Sequence, residues 1–319
     1  MDARTDPRPL LNPAKFRDPA VTAKGETRAS VGFGNLQTLW LNTGTLCNIT
    51  CAGCYIESSP ANDRLSYLTA ADATPFLDEV EALGFAPCEI GFTGGEPFMN
   101  PDILEMLGDV LSRGHRALVL TNAMAPMMRP RVRAGLAKLR VAHGDALTIR
   151  VSLDHYSARV HDLERGAGAF ARTCDGIDWL ARNEFRVAVA GRNLSGEGAP
   201  AARAGYAALI AQHGWPVDAF DPASLVLFPE MDERLDVPEI TTECWGILGV
   251  DPASIMCASS RMVVKRRGEA RARVVACTLT PYEPAFDMGV TLADSLRPVA
   301  LNHPHCARFC VLGGASCSA

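Results

Sequence analysis

From Leu36 onward, short apolar runs alternate with stretches of helical periodicity. Residues 36–42 (LQTLWLN) read as a strand. Residues 68–84 read as a helix opened by a Thr69–Asp72 capping pair, and 87–95 as a second strand. Residues 101–114 follow as a helix with Pro101 at its first position and Asn100 as cap. Strands at 116–123, 146–154, 185–193 and 224–230 continue the series. Between them stand a basic helix, a loop leading to a helix at 169–183, and a helix at 201–214. Six strand-then-helix units in order predict an α/β fold with a parallel sheet. They are too few for a closed eight-fold barrel, so an open, partial barrel is expected. Beyond Asp236 the pattern changes: residues 260–277 alternate on both sides of Arg267-Gly268-Glu269 and predict a β-hairpin. The chain thus divides into a lead-in (1–35), a barrel (36–235) and a small tail (236–319).

Composition narrows the function. The 319 residues, 48% hydrophobic and 21% charged, suffice for a full core. A net charge of −5 gives no electrostatic reason to expect nucleic acid or an anionic membrane surface. No apolar run nears the roughly 18 residues that would span a bilayer, and the charged, proline-rich start is unlike a signal peptide. A cytoplasmic location is expected. Eleven cysteines in a reducing compartment point to metal ligation or catalysis wherever they cluster. Cys88 and Cys174, inside a predicted strand and helix, read as core.

Cys47, Cys51 and Cys54 form a C-x-x-x-C-x-x-C run directly after the first strand. A structural zinc site takes four ligands, and a four-iron cluster normally takes four cysteines. Three thiolates leave one iron with an open position, useless to a passive carrier but able to bind a substrate. Loops that follow strands form the reactive face of parallel α/β barrels.

This run resembles the signature of the radical S-adenosylmethionine (radical SAM) superfamily. TGGEP (93–97), SLD (152–154) and GRN (191–193) stand at strand ends where that family places its cofactor contacts. The resemblance covers about residues 36–235 and implies a partial (β/α)6 TIM-like barrel. It implies that Cys47, Cys51 and Cys54 hold a 4Fe–4S cluster whose open iron is chelated by S-adenosylmethionine. Reduction would then cleave the sulfonium to methionine and a 5′-deoxyadenosyl radical, which takes hydrogen from a substrate carbon. It assigns Gly94 and Gly95 to close approach of the methionine part, Glu96 to its ammonium, and Ser152 to the ribose or carboxylate. Arg192 is assigned to the carboxylate, with Asn122 as a further polar contact. Asp154 is placed either in the cofactor pocket or against substrate. The aromatic residue common before the third cysteine is here Gly53, and Tyr55 stands after it. A flavodoxin- or ferredoxin-type electron donor is implied.

The tail holds Cys244, Cys257, Cys277, Cys306, Cys310 and Cys317. Cys257 and Cys277 flank the hairpin, and Cys306 and Cys310 form a close pair. The set resembles the twitch subdomain, the shortened SPASM extension, and implies an auxiliary 4Fe–4S cluster that accepts an electron from a substrate radical or relays electrons. Cys317 is an alternative to Cys306 or Cys310. His303 and His305 flank the pair, Cys244 is either near the site or core, and a four-cysteine zinc site would use the same ligands. Glu230 and Asp154 are the candidates, by position, for a base taking a substrate proton. The expected activity is oxidation or rearrangement of a small molecule. A peptide (RiPP-type) maturase, a methyltransferase using a second S-adenosylmethionine, and a zinc-stabilised binding protein remain the alternatives.

Overall fold

The expected strands form, and they pair in chain order. The computed structural model describes residues 9–194, 196–229 and 231–316. Along the chain run β1 (Ser30–Val31), β2 (Thr38–Asn42), α1 (Ala70–Ala82), β3 (Glu89–Thr93), α2 (Ile103–Ser112) and β4 (Arg116–Thr121). Then come α3 (Pro130–His143), β5 (Leu147–Ser152), α4 (Ala158–Arg165), α5 (Ala169–Arg182), β6 (Arg186–Arg192), α6 (Ala199–His213) and β7 (Leu225–Phe228). The tail adds α7 (Cys244–Leu248), β8 (Ser260–Val264), β9 (Arg273–Val275), β10 (Asp287–Gly289) and β11 (Val299–Ala300). Strands β2 to β7 pair in parallel, each with the next, so all their C-terminal ends face one side. The sheet is an open, partial barrel of the expected kind.

Local chemistry fixes the elements. Helix α1 opens at a complete capping box, Thr69 Oγ1 accepting from the Asp72 N–H while the Asp72 carboxylate accepts from the Thr69 N–H. Trp40 on β2 is fully buried opposite Gly91 on β3, where a Cβ would stand 2.3 Å from the indole ring. Only glycine leaves room for that tryptophan in a close-packed sheet. Helix α2 begins two residues later than Pro101. Asn100 both caps and braces: its Oδ1 accepts from the Asp102 N–H at 2.8 Å, and its amide donates to the Thr43 and Leu68 carbonyls at 3.0 and 2.8 Å.

Three elements depart from the sequence reading. The segment before α5, expected as a loop, contains helix α4. The lead-in supplies β1, which pairs with β11 near the far end of the chain. The hairpin β8–β9 is antiparallel as expected, but β8 also lies parallel to β2, so the tail continues the barrel sheet. The full order is β10-β9-β8-β2-β3-β4-β5-β6-β7. Among the described residues no helix is long and apolar enough to cross a membrane.

Candidate functional site

The strand ends converge on one cavity of about 180 Å³. Cys47, Cys51 and Cys54 line it from the loop after β2, and Gly94 and Gly95 from the turn after β3. Asn122, Ser152, Asp154 and Arg192 line it from the ends of β4, β5 and β6, and Tyr55 closes one side at 36% exposure. These residues, singled out in the sequence, therefore share a single wall.

The cysteine loop is held from both flanks. Gly95 N–H donates to the Gly44 carbonyl at 2.7 Å and Glu96 N–H to the Leu46 carbonyl at 3.1 Å; on the other flank Cys47 N–H donates to Ser59. A Cβ on Gly95 would stand 2.1 Å from the Leu46 oxygen, and one on Gly94, whose φ is +133°, 2.4 Å from the Gly44 oxygen. Both glycines are thus required by the cysteine loop pressed against them, before any ligand is considered. Glu96 is expected to meet a ligand's ammonium, and its carboxylate is already bonded within the fold. It is 1% exposed, absent from the cavity wall, and accepts from Thr121 Oγ1, Asn122 N–H and Phe98 N–H at 2.8, 2.9 and 3.2 Å. Burial raises its carboxyl above the ordinary range against those three bonds.

The charged side of the cavity is built by α4. Arg165, at the end of that helix, grips Asp154 with two bonds, Nε to Oδ2 at 2.7 Å and Nη2 to Oδ1 at 2.9 Å. Burial alone would raise the Asp154 carboxyl; the Arg165 charge and hydrogen bonds, aided by Arg192, outweigh it and hold the group below its usual range. Asp154 is thus held as an anion by Arg165. Glu164 on the same helix accepts from Arg192 Nη1 at 3.0 Å, and its carbonyl accepts from Ala52 N–H at 2.8 Å, tying helix to cysteine loop. The sequence reading missed Arg165 and Glu164 because it missed α4. Glu230 lies outside the described residues.

The same cavity also has an apolar lining. Leu120, Ala190 and Phe228 come from the barrel strands, Met231 from just beyond β7, and Leu279 and Phe309 from the tail. The Phe228 and Phe309 rings lie 5.4 Å apart.

A second, narrower cavity in the tail is lined by Cys257, Cys277, Cys306 and Cys310, and Leu279 belongs to the walls of both cavities. Cys306 and Cys310 sit on a short π-helical turn, Cys306–Val311. Cys317 lies outside the described residues. His305 also lines this cavity, but His303 does not. Cys244 lines neither; its sulfur accepts from Thr241 N–H at 3.3 Å within its own turn. Cys88 and Cys174 are buried core, as expected.

Both cavities fit a metal cluster on chemical grounds. Burial pushes the Cys47 thiol up to about 12, Cys257 to about 11 and Cys306 to about 12, and raises Cys51. Such thiols stay neutral until a metal cation replaces their protons. Backbone N–H groups already face two sulfurs, Ser58 to Cys54 at 3.3 Å and Leu279 to Cys277 at 3.4 Å, as cluster thiolates require. Ser58 Oγ in the first cavity, and Thr280 Oγ1 and His305 Nδ1 in the second, are buried without a partner. Among the described residues no three His, Cys, Asp or Glu converge on one ion.

In the same region Arg261 on β8 is fully buried. Burial lowers it to about 10, offset in part by Cys257 and Cys277, so it remains a cation at neutral pH.

Residues 41–196 match the model of the Radical SAM superfamily. The chain is 34% identical over 145 residues to the antilisterial bacteriocin subtilosin biosynthesis protein AlbA of Bacillus subtilis (strain 168), a match covering 45% of this chain and 30% of AlbA. It is 35% identical over 156 residues to the AdoMet-dependent heme synthase of Methanosarcina barkeri (strain Fusaro / DSM 804), covering 46% of this chain and 41% of that protein. The match thus spans well under half the length of either relative. Streptococcus suis SuiB bound to precursor peptide SuiA superposes with a TM-score of 0.59 at 11% identity, over 82% of this chain and 64% of SuiB, a likeness of fold alone. Over residues 41–196, just under half of its length, the chain is similar to the radical SAM superfamily, whose chemistry runs on S-adenosylmethionine and a 4Fe–4S cluster.

Proposed function

We propose that this chain reductively cleaves S-adenosylmethionine in the larger cavity and removes a hydrogen atom from an apolar part of its substrate, with a second 4Fe–4S cluster in the tail. The observation that carries this reading is the shared wall: three cysteine thiols, four strand-end polar groups and an apolar face around one space. When bound, the cluster and S-adenosylmethionine supply a 5′-deoxyadenosyl radical strong enough to take hydrogen from an unactivated carbon. The protein's residues do the rest. Cys47, Cys51 and Cys54 give three ligands and leave the fourth iron position open. Arg192, bonded through Nη1 to Glu164 and with its guanidinium lying over Gly53, would take a carboxylate. Ser152 and Asn122 offer neutral hydrogen bonds to the sugar. Asp154 holds Arg165 in place. Phe228, Met231, Leu279 and Phe309 exclude water and receive the apolar part of the substrate.

In the tail, Cys257, Cys277, Cys306 and Cys310 would supply one thiolate per iron, a closed shell suited to electron transfer. Leu279 lines both cavities and bonds through its N–H to the Cys277 sulfur, which supports a position for that centre next to the reacting space. An electron leaving a substrate radical there would make the net reaction an oxidation. For the substrate, the likeness to AlbA, a bacteriocin biosynthesis protein, supports a peptide, and the apolar lining would receive an apolar side chain. The likeness to the AdoMet-dependent heme synthase supports a small molecule instead. The test is to reconstitute the protein without oxygen, add dithionite and S-adenosylmethionine, and measure 5′-deoxyadenosine by chromatography. Product from the wild type and none from Cys51→Ala is expected; equal amounts from both would sink the reading.

A further inference from the structure

Among the described residues, Arg261 is a buried cation without a carboxylate partner. Its Nε donates to the Ser295 carbonyl at 2.8 Å, Nη1 to those of Cys257 and Ser260 at 2.7 Å each, and Nη2 to that of Arg297 at 3.0 Å. The Phe33 ring lies 4.6 Å from the guanidinium carbon. The buried Arg28 pairs with Glu239, and the half-buried Arg165 with Asp154. Among the described residues no carboxylate oxygen stands within 4.0 Å of the Arg261 nitrogens. Carbonyl dipoles satisfy the donors, but they do not neutralise the charge, and an uncompensated buried charge is strongly destabilising.

The compensation the structure offers is the adjacent cysteine set. Cys257, whose carbonyl Arg261 holds, lines the second cavity with Cys277, Cys306 and Cys310. A four-iron cluster on four thiolates is anionic, and it gains one further negative charge when it takes up an electron. A fixed cation beside it favours the more negative state. We propose that Arg261 is the counter-ion of this second centre and sets its reduction potential, making it the better electron acceptor. The inference rests on the proposed second cluster. Arg261 is a positioning and potential-setting residue, not a cluster ligand.

The test uses the full-length chain with Cys47, Cys51 and Cys54 changed to Ala, reconstituted with iron and sulfide, so that only the tail centre remains. Iron per chain is measured first, then the centre's potential by electron paramagnetic resonance during a dithionite titration. Arg261→Gln keeps donors and loses the charge, whereas Arg261→Lys keeps the charge. The expected result is that Gln lowers the reduced-to-oxidised ratio at fixed potential about tenfold, about 59 mV for one electron, while Lys changes it far less. Phe33→Glu brings a carboxylate to the guanidinium without touching Arg261 and is expected to act as Gln does; it decides the matter should the Arg261 variants fail to fold. An unchanged potential in Gln, or in Phe33→Glu when the Arg261 variants do not fold, overturns the inference and leaves the cluster standing. About four irons per chain are expected in the parent variant; none would overturn both the cluster and the role of Arg261.

Discussion

The Arg192 guanidinium lies against Gly53, so closely that a Cβ on that glycine would stand 2.6 Å from Nη2. The position between the second and third cysteines, aromatic in many relatives of the signature, is bare here because an arginine from the end of β6 fills the space above it. Gly53→Ala must therefore move Arg192 or the cysteine loop. A charged hydrogen bond is worth roughly 1.5–3 kcal/mol. S-adenosylmethionine binding, followed by calorimetry on the reconstituted protein, is expected to weaken by at least about tenfold. Arg192→Lys should lose a similar amount, because an ammonium cannot hold Glu164 and a carboxylate with one planar fork.

Removing one partner of the Asp154–Arg165 pair leaves a buried charge alone. Asp154→Asn is expected to lower unfolding free energy by about 3–5 kcal/mol. The pH dependence has a definite sign. The folded-state carboxyl is held below its ordinary value, so the pair's contribution is complete above about pH 4 and is lost as pH falls through the lower folded value. Urea titrations of wild type and variant should differ by a constant amount from pH 5 to 8 and draw together in stronger acid. A difference that instead changed between pH 6 and 8 would show that Asp154 titrates there, as a base would.

The tail cysteines divide into ligands and bystanders. Single changes of Cys257, Cys277, Cys306 or Cys310 to Ala should each reduce iron by about four per chain. Cys244→Ala should leave iron unchanged, because that sulfur is used within its own turn at Thr241. Loss of iron in the Cys244 variant, with full loading in Cys310→Ala, would reassign the site.

Before metal is loaded, the buried thiols should be slow to react. Raised to about 12 at Cys47 and Cys306 and to about 11 at Cys257, they hold little thiolate at pH 8. Iodoacetamide labelling of the metal-free chain at pH 8, read by mass spectrometry, should be at least about a hundredfold slower at these three positions than in urea. Equal rates would mean that the thiols are not desolvated.

The barrel and the first cysteine set were legible because both are written locally. Alternating apolar runs mark β2 to β7, and three cysteines in eight residues follow the first of them. What escaped was tertiary. Helix α4 shows no apolar stripe: Leu163 is 71% exposed and His161 is its one buried side chain, so periodicity had nothing to detect. With that helix went Arg165, the partner of Asp154. Glu96 was found, but its partners Thr121 and Asn122 lie 25 and 26 residues away, and only the folded sheet shows them occupying the carboxylate. The parallel pairing of β8 with β2 joins residues more than two hundred positions apart, and no local pattern encodes that choice of neighbour.

Two clusters in one chain, the first held by Cys47, Cys51 and Cys54, are the centre of this account. Iron and sulfide per chain, measured after oxygen-free reconstitution in wild type and in the variant with all three changed to Ala, test it most directly. The account predicts about eight irons falling to about four. About four falling to none would contradict it, leaving the tail cysteines without a cluster and the proposed oxidation without its electron acceptor.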